Sequence, residues 1–139
     1  MKIRSYLTFN GNAAEAIEFY KDTLGAREVT VSRFSDIPPS PDYAVPEAAK
    51  NLILHAEIKI GEDVVFISDN EPNNPFNQAV SDNIAVTLIG MDAAMATELY
   101  NKLKVGGKEI MPIQETFWSS AYGMLVDKFG IKWFINADS

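Results

Sequence analysis

The chain has 139 residues, 47% of them hydrophobic and 22% charged, the size and composition of one ordinary globular domain with a core of its own. Nineteen acidic against twelve basic residues leave a net charge of −7. That balance argues against nucleic acid as a partner, because phosphate binding needs a positive surface. There is no cysteine, so disulfides, thiolate nucleophiles and thiolate metal sites are excluded.

Residues 1–9 carry Lys2 and Arg4 and lack the apolar run of a signal peptide. No stretch reaches the roughly 18 apolar residues of a membrane span, so a cytoplasmic protein without a membrane partner is expected. Residues 6–11 read as a strand of alternating faces ending at Gly11, with Leu7 and Phe9 toward a core. Asn12 is the expected N-cap of a helix in which Ala13, Ala16, Ile17 and Tyr20 recur at helical spacing. Gly25 stops it, and Arg27, Glu28 and Val29 follow. Pro38, Pro39, Pro41 and Pro46 mark an added loop within residues 34–50. Residues 52–60 and 64–68 read as a strand pair. In it Leu54, Ala56, Ile58 and Ile60 form the expected core face, with His55, Glu57 and Lys59 opposite.

Residues 71–82, with Pro72 and Pro75, read as a linker, and then the same pattern returns. Residues 85–90 match the first strand and end at Gly90. Asp92 is the second N-cap, and Ala93, Ala96, Leu99, Tyr100 and Leu103 keep helical spacing. Gly106 is the second stop, with Lys108, Glu109 and Ile110 after it. Residues 123–127 and 133–136 close the series, and Phe66, Ile67 and Ser68 match Phe134, Ile135 and Asn136 in place and type. The ordered series is a stronger signal than any one helix match. It predicts an α+β fold, a single domain of two tandem β-α-β-β-β modules (residues 1–70 and 83–139) forming curved mixed sheets around a cleft. A module of roughly 60 residues is marginal alone, so sharing a core is the physical reason for the duplication.

Strand alternation places Tyr6, Thr8, Phe66 and Ser68 toward the cleft in the first module, and Ala85, Thr87, Phe134 and Asn136 in the second. His55 is the single histidine. With Glu57 two residues on, it forms a candidate acid–base pair; the plainer reading is a solvated sheet face with a cross-strand charge pair. Trp118 and Tyr122, flanking Ser119 and Ser120, suit a ligand-binding wall or a dimer interface equally. Phe19, Tyr20, Leu99 and Tyr100 are packing residues. Gly106 and Gly107 form a helix stop rather than a phosphate loop, since no P-loop or dinucleotide pattern accompanies them.

Three segments carry a family resemblance: residues 6–12 (YLTFNGN) with Phe19 and Tyr20; residues 55–61 (HAEIKIG) with Ser68 and Asp69; and residues 116–130 (TFWSSAYGMLVDKFG) with Trp133. They run nearly end to end and resemble the PhnB-like branch of the vicinal oxygen chelate superfamily. That superfamily includes glyoxalases, bleomycin-resistance proteins and extradiol dioxygenases, and the branch is often labelled by a 3-demethylubiquinone methyltransferase domain. Ser119 stands where the pattern has glycine. The resemblance implies a divalent metal on the inner sheet faces, held by His, Glu or Gln on the first and last strands of each module, with positions open for substrate oxygens. Here those four positions hold Tyr6, Phe66, Ala85 and Phe134, and phenylalanine and alanine do not ligate a cation. A one-residue change of register offers nothing better.

The expectation is therefore a protein without metal or cofactor that binds a small organic molecule in the cleft. Tyr6, Thr8, Phe66, Ser68, Trp118, Tyr122, Phe134 and Asn136 are the ligand-binding candidates, and His55 and Glu57 the catalytic ones. The alternative is a metal-dependent lyase, isomerase or dioxygenase with an atypical site around His55 and Glu57, completed by loop carboxylates. A methyltransferase is disfavoured, because no Gly-rich loop follows the first strand to hold a nucleoside cofactor. The aromatic segment 118–122 and the resemblance together predict a homodimer.

Overall fold

The computed structural model describes residues 1–42, 44–70 and 83–139, and the chain divides into two units, Met1–Ala79 and Val80–Ser139. The expected linker at residues 71–82 lies outside the described residues. In the first unit the elements are β1 (Tyr6–Phe9), α1 (Ala13–Leu24), β2 (Arg27–Arg33), β3 (Ile53–Ile60) and β4 (Asp63–Asp69). They form a four-stranded sheet of order β1-β4-β3-β2, in which β1 runs parallel to β4 and the other pairs are antiparallel. The second unit repeats this with β5 (Val86–Leu88), α2 (Ala93–Leu103), β6 (Lys108–Gln114), β7 (Tyr122–Val126) and β8 (Lys132–Asn136), in the order β5-β8-β7-β6. The α+β class and the paired β-α-β-β-β modules are thus as the sequence predicts.

Each sheet buries one face under its own helix. In the first unit Leu7, Phe9, Ala56, Ile58, Val65 and Ile67 are buried, together with Ala13, Ala16, Ile17 and Tyr20 of α1. The helical positions are spaced so that one stripe meets the sheet, and each large aliphatic side chain so buried stabilises by about 1.5–3 kcal/mol. In the second unit Leu125, Trp133 and Ile135 meet Ala96, Tyr100 and Leu103 of α2 in the same way. Ile67 pairs with Ala56 in one sheet and Ile135 with Gly123 in the other. Gly123 is required: a Cβ there would lie 2.8 Å from Cε2 of Tyr100 and 3.2 Å from Cα of Ile113.

The structure corrects two local expectations. Asn12 makes no side-chain cap of α1. The carboxylate of Asp69, at the far end of β4, does that work instead: Oδ1 accepts from the backbone N–H groups of Gly11 and Ala13, both at 2.9 Å. Asp92 does cap α2, accepting from the N–H of Met95 at 2.8 Å. The second correction is in β3, where Leu54 is not a core residue. A register shift in its pairing with β2, between Ser32 and Arg33, breaks the alternation there. Ile53 is buried (1% exposed) and Leu54 only half-buried. The N–H of Ile53 is held by Oδ2 of Asp69 at 2.9 Å, so one buried carboxylate ties β4 to both α1 and β3. The second glycine stop follows a short turn: α2 ends at Leu103, and Gly106 takes the left-handed conformation (φ 77°). β5 is one residue shorter than β1, so Ala85 precedes the strand instead of belonging to it.

Candidate functional site

In the first unit α1 packs on β3 and β4, which leaves the opposite sheet face open. Tyr6 lies beside Phe66 in register, and Phe66 beside Glu57. His55 sits two residues from Glu57 on the same face. The hydroxyl of Tyr6 is 3.0 Å from Nδ1 of His55, and Nε2 of His55 is 3.9 Å from Oε1 of Glu57. Phe66 packs edge to face on Tyr6 and on His55, with centroids 5.7 and 5.1 Å apart, and the Tyr6 and His55 rings lie tilted to each other at 5.6 Å. This edge-to-face packing adds to the hydrogen bond in fixing the imidazole. Chemically, the phenol and imidazole are within reach for a shared proton. Glu57, with Oε1 3.9 Å from Nε2, is beyond hydrogen-bond range. Thr8 is exposed and Ser68 is buried beside it in register.

The second unit presents a longer run of rings. Phe117 and Trp118 pack edge to face at 4.8 Å, Trp118 and Tyr122 at 5.2 Å, and Tyr122 and Phe134 at 6.2 Å. Phe117 is 96% exposed and Trp118 is 45% exposed, whereas Trp133 is fully buried. Lys132 holds its ammonium 5.4 Å from the centroid of Phe134. Asn136 pairs with Tyr122 in the β7–β8 ladder. Its Oδ1 is buried without a hydrogen-bond partner, and so is Oγ1 of Thr116. A buried polar atom left unsatisfied costs about 1–3 kcal/mol, and among the described residues these two stand at the same end of one sheet. Thr116 also lines a cavity of about 300 Å³ with Glu115, Phe117, Ser119, Ser120 and Ser139.

Ser119 has a specific task in this loop. It is 2% exposed, and its hydroxyl lies 3.0 Å from the carbonyl oxygen of Ala121 and 2.8 Å from that of Ala137. With the N–H of Thr116 donating to the carbonyl of Ser119, the hydroxyl pins the aromatic loop to the end of β8. The turn between β7 and β8 is held by another buried carboxylate. Oδ1 of Asp127 accepts from the N–H groups of Phe129 (2.9 Å) and Ile131 (3.0 Å), and Oδ2 from the indole N–H of Trp133 at 2.8 Å.

The structure therefore brings Tyr6, Phe66, His55 and Glu57 together on one face, and Trp118, Tyr122, Phe134 and Asn136 together on another. Sequence reasoning did not single out Thr116, Asp69 or Asp127 as individuals. Asp69 and Asp127 do lie in the segments that carry the resemblance, but nothing local marks them as acceptors for such distant donors.

A resident metal of the kind the superfamily implies does not fit these residues. Phe66 and Phe134 offer hydrocarbon rings, Ala85 offers a methyl, and the hydroxyl of Tyr6 is engaged with His55. Around His55 and Glu57 no third donor joins: no group of three or more His, Cys, Asp or Glu that could hold a metal occurs among the described residues. Glu71 and Asp82, the nearest loop carboxylates in sequence to the linker ends, lie outside those residues.

Two four-stranded sheets, each a β-α-β-β-β unit, define the glyoxalase/bleomycin-resistance/dioxygenase fold. A domain of that description from Frankia superimposes over 100% of this chain and 98% of its own with a TM-score of 0.70 at 12% identity. Residues 1–136 match the family model described as 3-demethylubiquinone-9 3-methyltransferase, and the chain belongs to that PhnB-like family. Protein YjdN of Escherichia coli is 30% identical over 98% of this chain and 95% of its own. Among solved structures, protein PA1353 from Pseudomonas aeruginosa has a TM-score of 0.83 at 33% identity, covering 99% of this chain and 98% of its own. A Bacillus cereus PhnB protein, itself described as a putative 3-demethylubiquinone-9 3-methyltransferase, has a TM-score of 0.77 at 22% identity, covering 99% of each chain. Neither sheet is the doubly wound parallel sheet that binds nucleoside cofactors. No helix among the described residues is long and apolar enough to cross a membrane.

Proposed function

We propose that this chain is a binding protein for a small organic molecule, held against the aromatic sheet faces rather than coordinated to a metal. The observation that carries this reading is the exchange of donors for rings: Tyr6, Phe66 and Phe134 occupy positions where the superfamily pattern expects ligands. Aromatic walls with a few convergent polar groups are the ordinary lining of a small-molecule site. Thr8 and Ser68 border the first face, and Trp118, Tyr122 and Asn136 the second. A thermal-shift screen of purified protein across metabolites and antibiotics tests it. At a hundredfold excess over Kd, a true ligand stabilises by about 2.7 kcal/mol and raises Tm saturably. Absence of any saturable shift across the library removes the reading.

A second reading rests on the contact between Tyr6 and His55. An imidazole fixed by a phenol at Nδ1, with Glu57 on the side of Nε2, suits proton transfer to or from a bound molecule. Under this reading His55→Gln abolishes turnover of a ligand found in the screen while leaving its affinity within a few-fold. Unchanged ligand on prolonged incubation with the wild-type protein counts against it. We also propose that the chain forms a homodimer through the exposed Phe117 and Trp118. Sedimentation of wild type at micromolar concentration should give the dimer mass, and Trp118→Ala a lighter species; a wild-type monomer contradicts this.

A further inference from the structure

Among the described residues, the side-chain atoms that are buried without a hydrogen-bond partner are Oδ1 of Asn136 and Oγ1 of Thr116. Both belong to the second unit, at the end of the sheet where the aromatic loop is pinned. Asn136 pairs with Tyr122, whose other neighbour in the sheet is Gln114, two residues before Thr116. The next residue after Asn136 is Ala137, which Ser119 grips through its carbonyl. The same neighbourhood carries the ring series from Phe117 through Trp118 and Tyr122 to Phe134.

We infer that this end of the second sheet is a recognition site for a planar heteroaromatic molecule that donates an N–H or O–H to Oδ1 of Asn136. The inference rests on the binding role proposed above and adds the ligand's chemistry. Planarity follows from the rings: successive edge-to-face contacts leave ring faces and edges on which a flat molecule gains contact. The donor follows from the acceptor, because a carbonyl oxygen shut away from water gains most from a partner that brings its own proton. Thr116 Oγ1, which can donate or accept, supplies a second polar contact for a substituent reaching its cavity.

The two tryptophans make the site observable. Trp118 is 45% exposed within the ring series, and Trp133 is buried with its indole N–H on Asp127. Side-chain indole N–H signals in a proton–nitrogen correlation spectrum therefore report the site and the fold separately. The probes are carbostyril, a planar bicyclic lactam with one N–H, and its N-methyl derivative, which keeps the plane and lacks the donor. Carbostyril is expected to shift the Trp118 signal saturably and leave Trp133 in place, with the N-methyl compound binding about tenfold more weakly or worse, the loss of roughly one hydrogen bond. Asn136→Leu should erase the difference between the probes while the Trp133 signal stays put, and Asn136→Asp, which keeps an acceptor oxygen, should retain it. Equal affinity for the two probes, no Trp118 shift, or a preference that survives in Asn136→Leu overturns the inference. If ligands from the library screen bind and move Trp118 with no need for a donor, only the inferred ligand chemistry fails. If the screen yields no ligand at all, the binding role fails with it.

Discussion

The two units share a topology but secure it with buried carboxylates placed differently. In the first, Asp69 reaches donors 16 to 58 residues away: the N–H groups of Ile53, Ala13 and Gly11. In the second, Ala137 follows Asn136 where Asp69 follows Ser68, and the helix is capped locally by Asp92. Its buried carboxylate is Asp127, whose donors lie two to six residues away in one turn. The same need, satisfied backbone donors at the end of a short sheet, is thus met by a long-range brace in one unit and a local one in the other. With a brace at the strand end, the first unit carries a compact group of three rings on its open face. The second unit, lacking one there, keeps an unpartnered Asn136 and a longer, more exposed ring series. The difference in bracing coincides with a difference in the rings each sheet exposes.

Replacing either carboxylate is the strongest way to break the comparison. Asp69→Ala and Asp127→Ala each remove a buried carboxylate that accepts three hydrogen bonds, and each should cost about 3 kcal/mol or more, read as a lower urea midpoint. Amide exchange separates them. Asp69→Ala should accelerate exchange at Gly11, Ala13 and Ile53 together, since one oxygen pair serves distant segments. Asp127→Ala should affect Phe129 and Ile131 and move the Trp133 indole signal. If Asp69→Ala speeds only its sequence neighbours, it is no long-range brace.

Next in size is the contrast at the paired positions Ala56 and Gly123. A methyl at position 123 meets the Tyr100 ring and the backbone of Ile113. Gly123→Ala should therefore destabilise by about 1–3 kcal/mol through overpacking. Ala56→Gly, which removes a buried methyl and loosens the strand, should cost about 1 kcal/mol. A neutral Gly123→Ala would mean that α2 can shift off the sheet.

The smallest effect concerns Tyr100. Its hydroxyl lies 2.9 Å from Oε2 of Glu109 and 2.9 Å from the carbonyl oxygen of Met111. Burial first, and then the Glu109 carboxylate, push the phenol well above its ordinary value. The folded chain thus keeps this proton where the unfolded chain loses it. The contribution is fully present below about pH 10, the unfolded value, and is lost as pH rises past that toward the folded one. Tyr100→Phe should cost about 1 kcal/mol near neutrality and flatten the fall in stability above about pH 10. An unchanged alkaline slope in Tyr100→Phe would show that the phenol ionises alike in both states.

Much of this was legible in the sequence because both modules write their core in local periodicity. Leu7 and Phe9 on β1, the helical stripes ending in Tyr20 and Tyr100, and the match of residues 66–68 with 134–136 all follow from spacing alone. The cap of α1 was not legible. Asn12 has the right chemistry beside the helix, but Asp69 offers a full charge from across the fold, and sequence proximity says nothing about that competition. Leu54 was misplaced because strict alternation assumes an unbroken ladder, and the register shift beside Ser32 breaks it. Tyr6 and His55, 49 residues apart, could be assigned to one face by alternation, while their hydrogen bond needed the register. Thr116 gave no signal, since an unpaired hydroxyl is visible only once its surroundings are known.

The central claim is that rings have replaced the metal-binding side chains of the superfamily on both sheet faces. Elemental analysis of protein purified without chelator tests it most directly. Less than about a tenth of an equivalent of any transition metal per chain is expected, because two donors such as His55 and Glu57 do not hold a metal through purification. A stoichiometric metal that leaves on His55→Gln and returns on reconstitution of the wild type would contradict it.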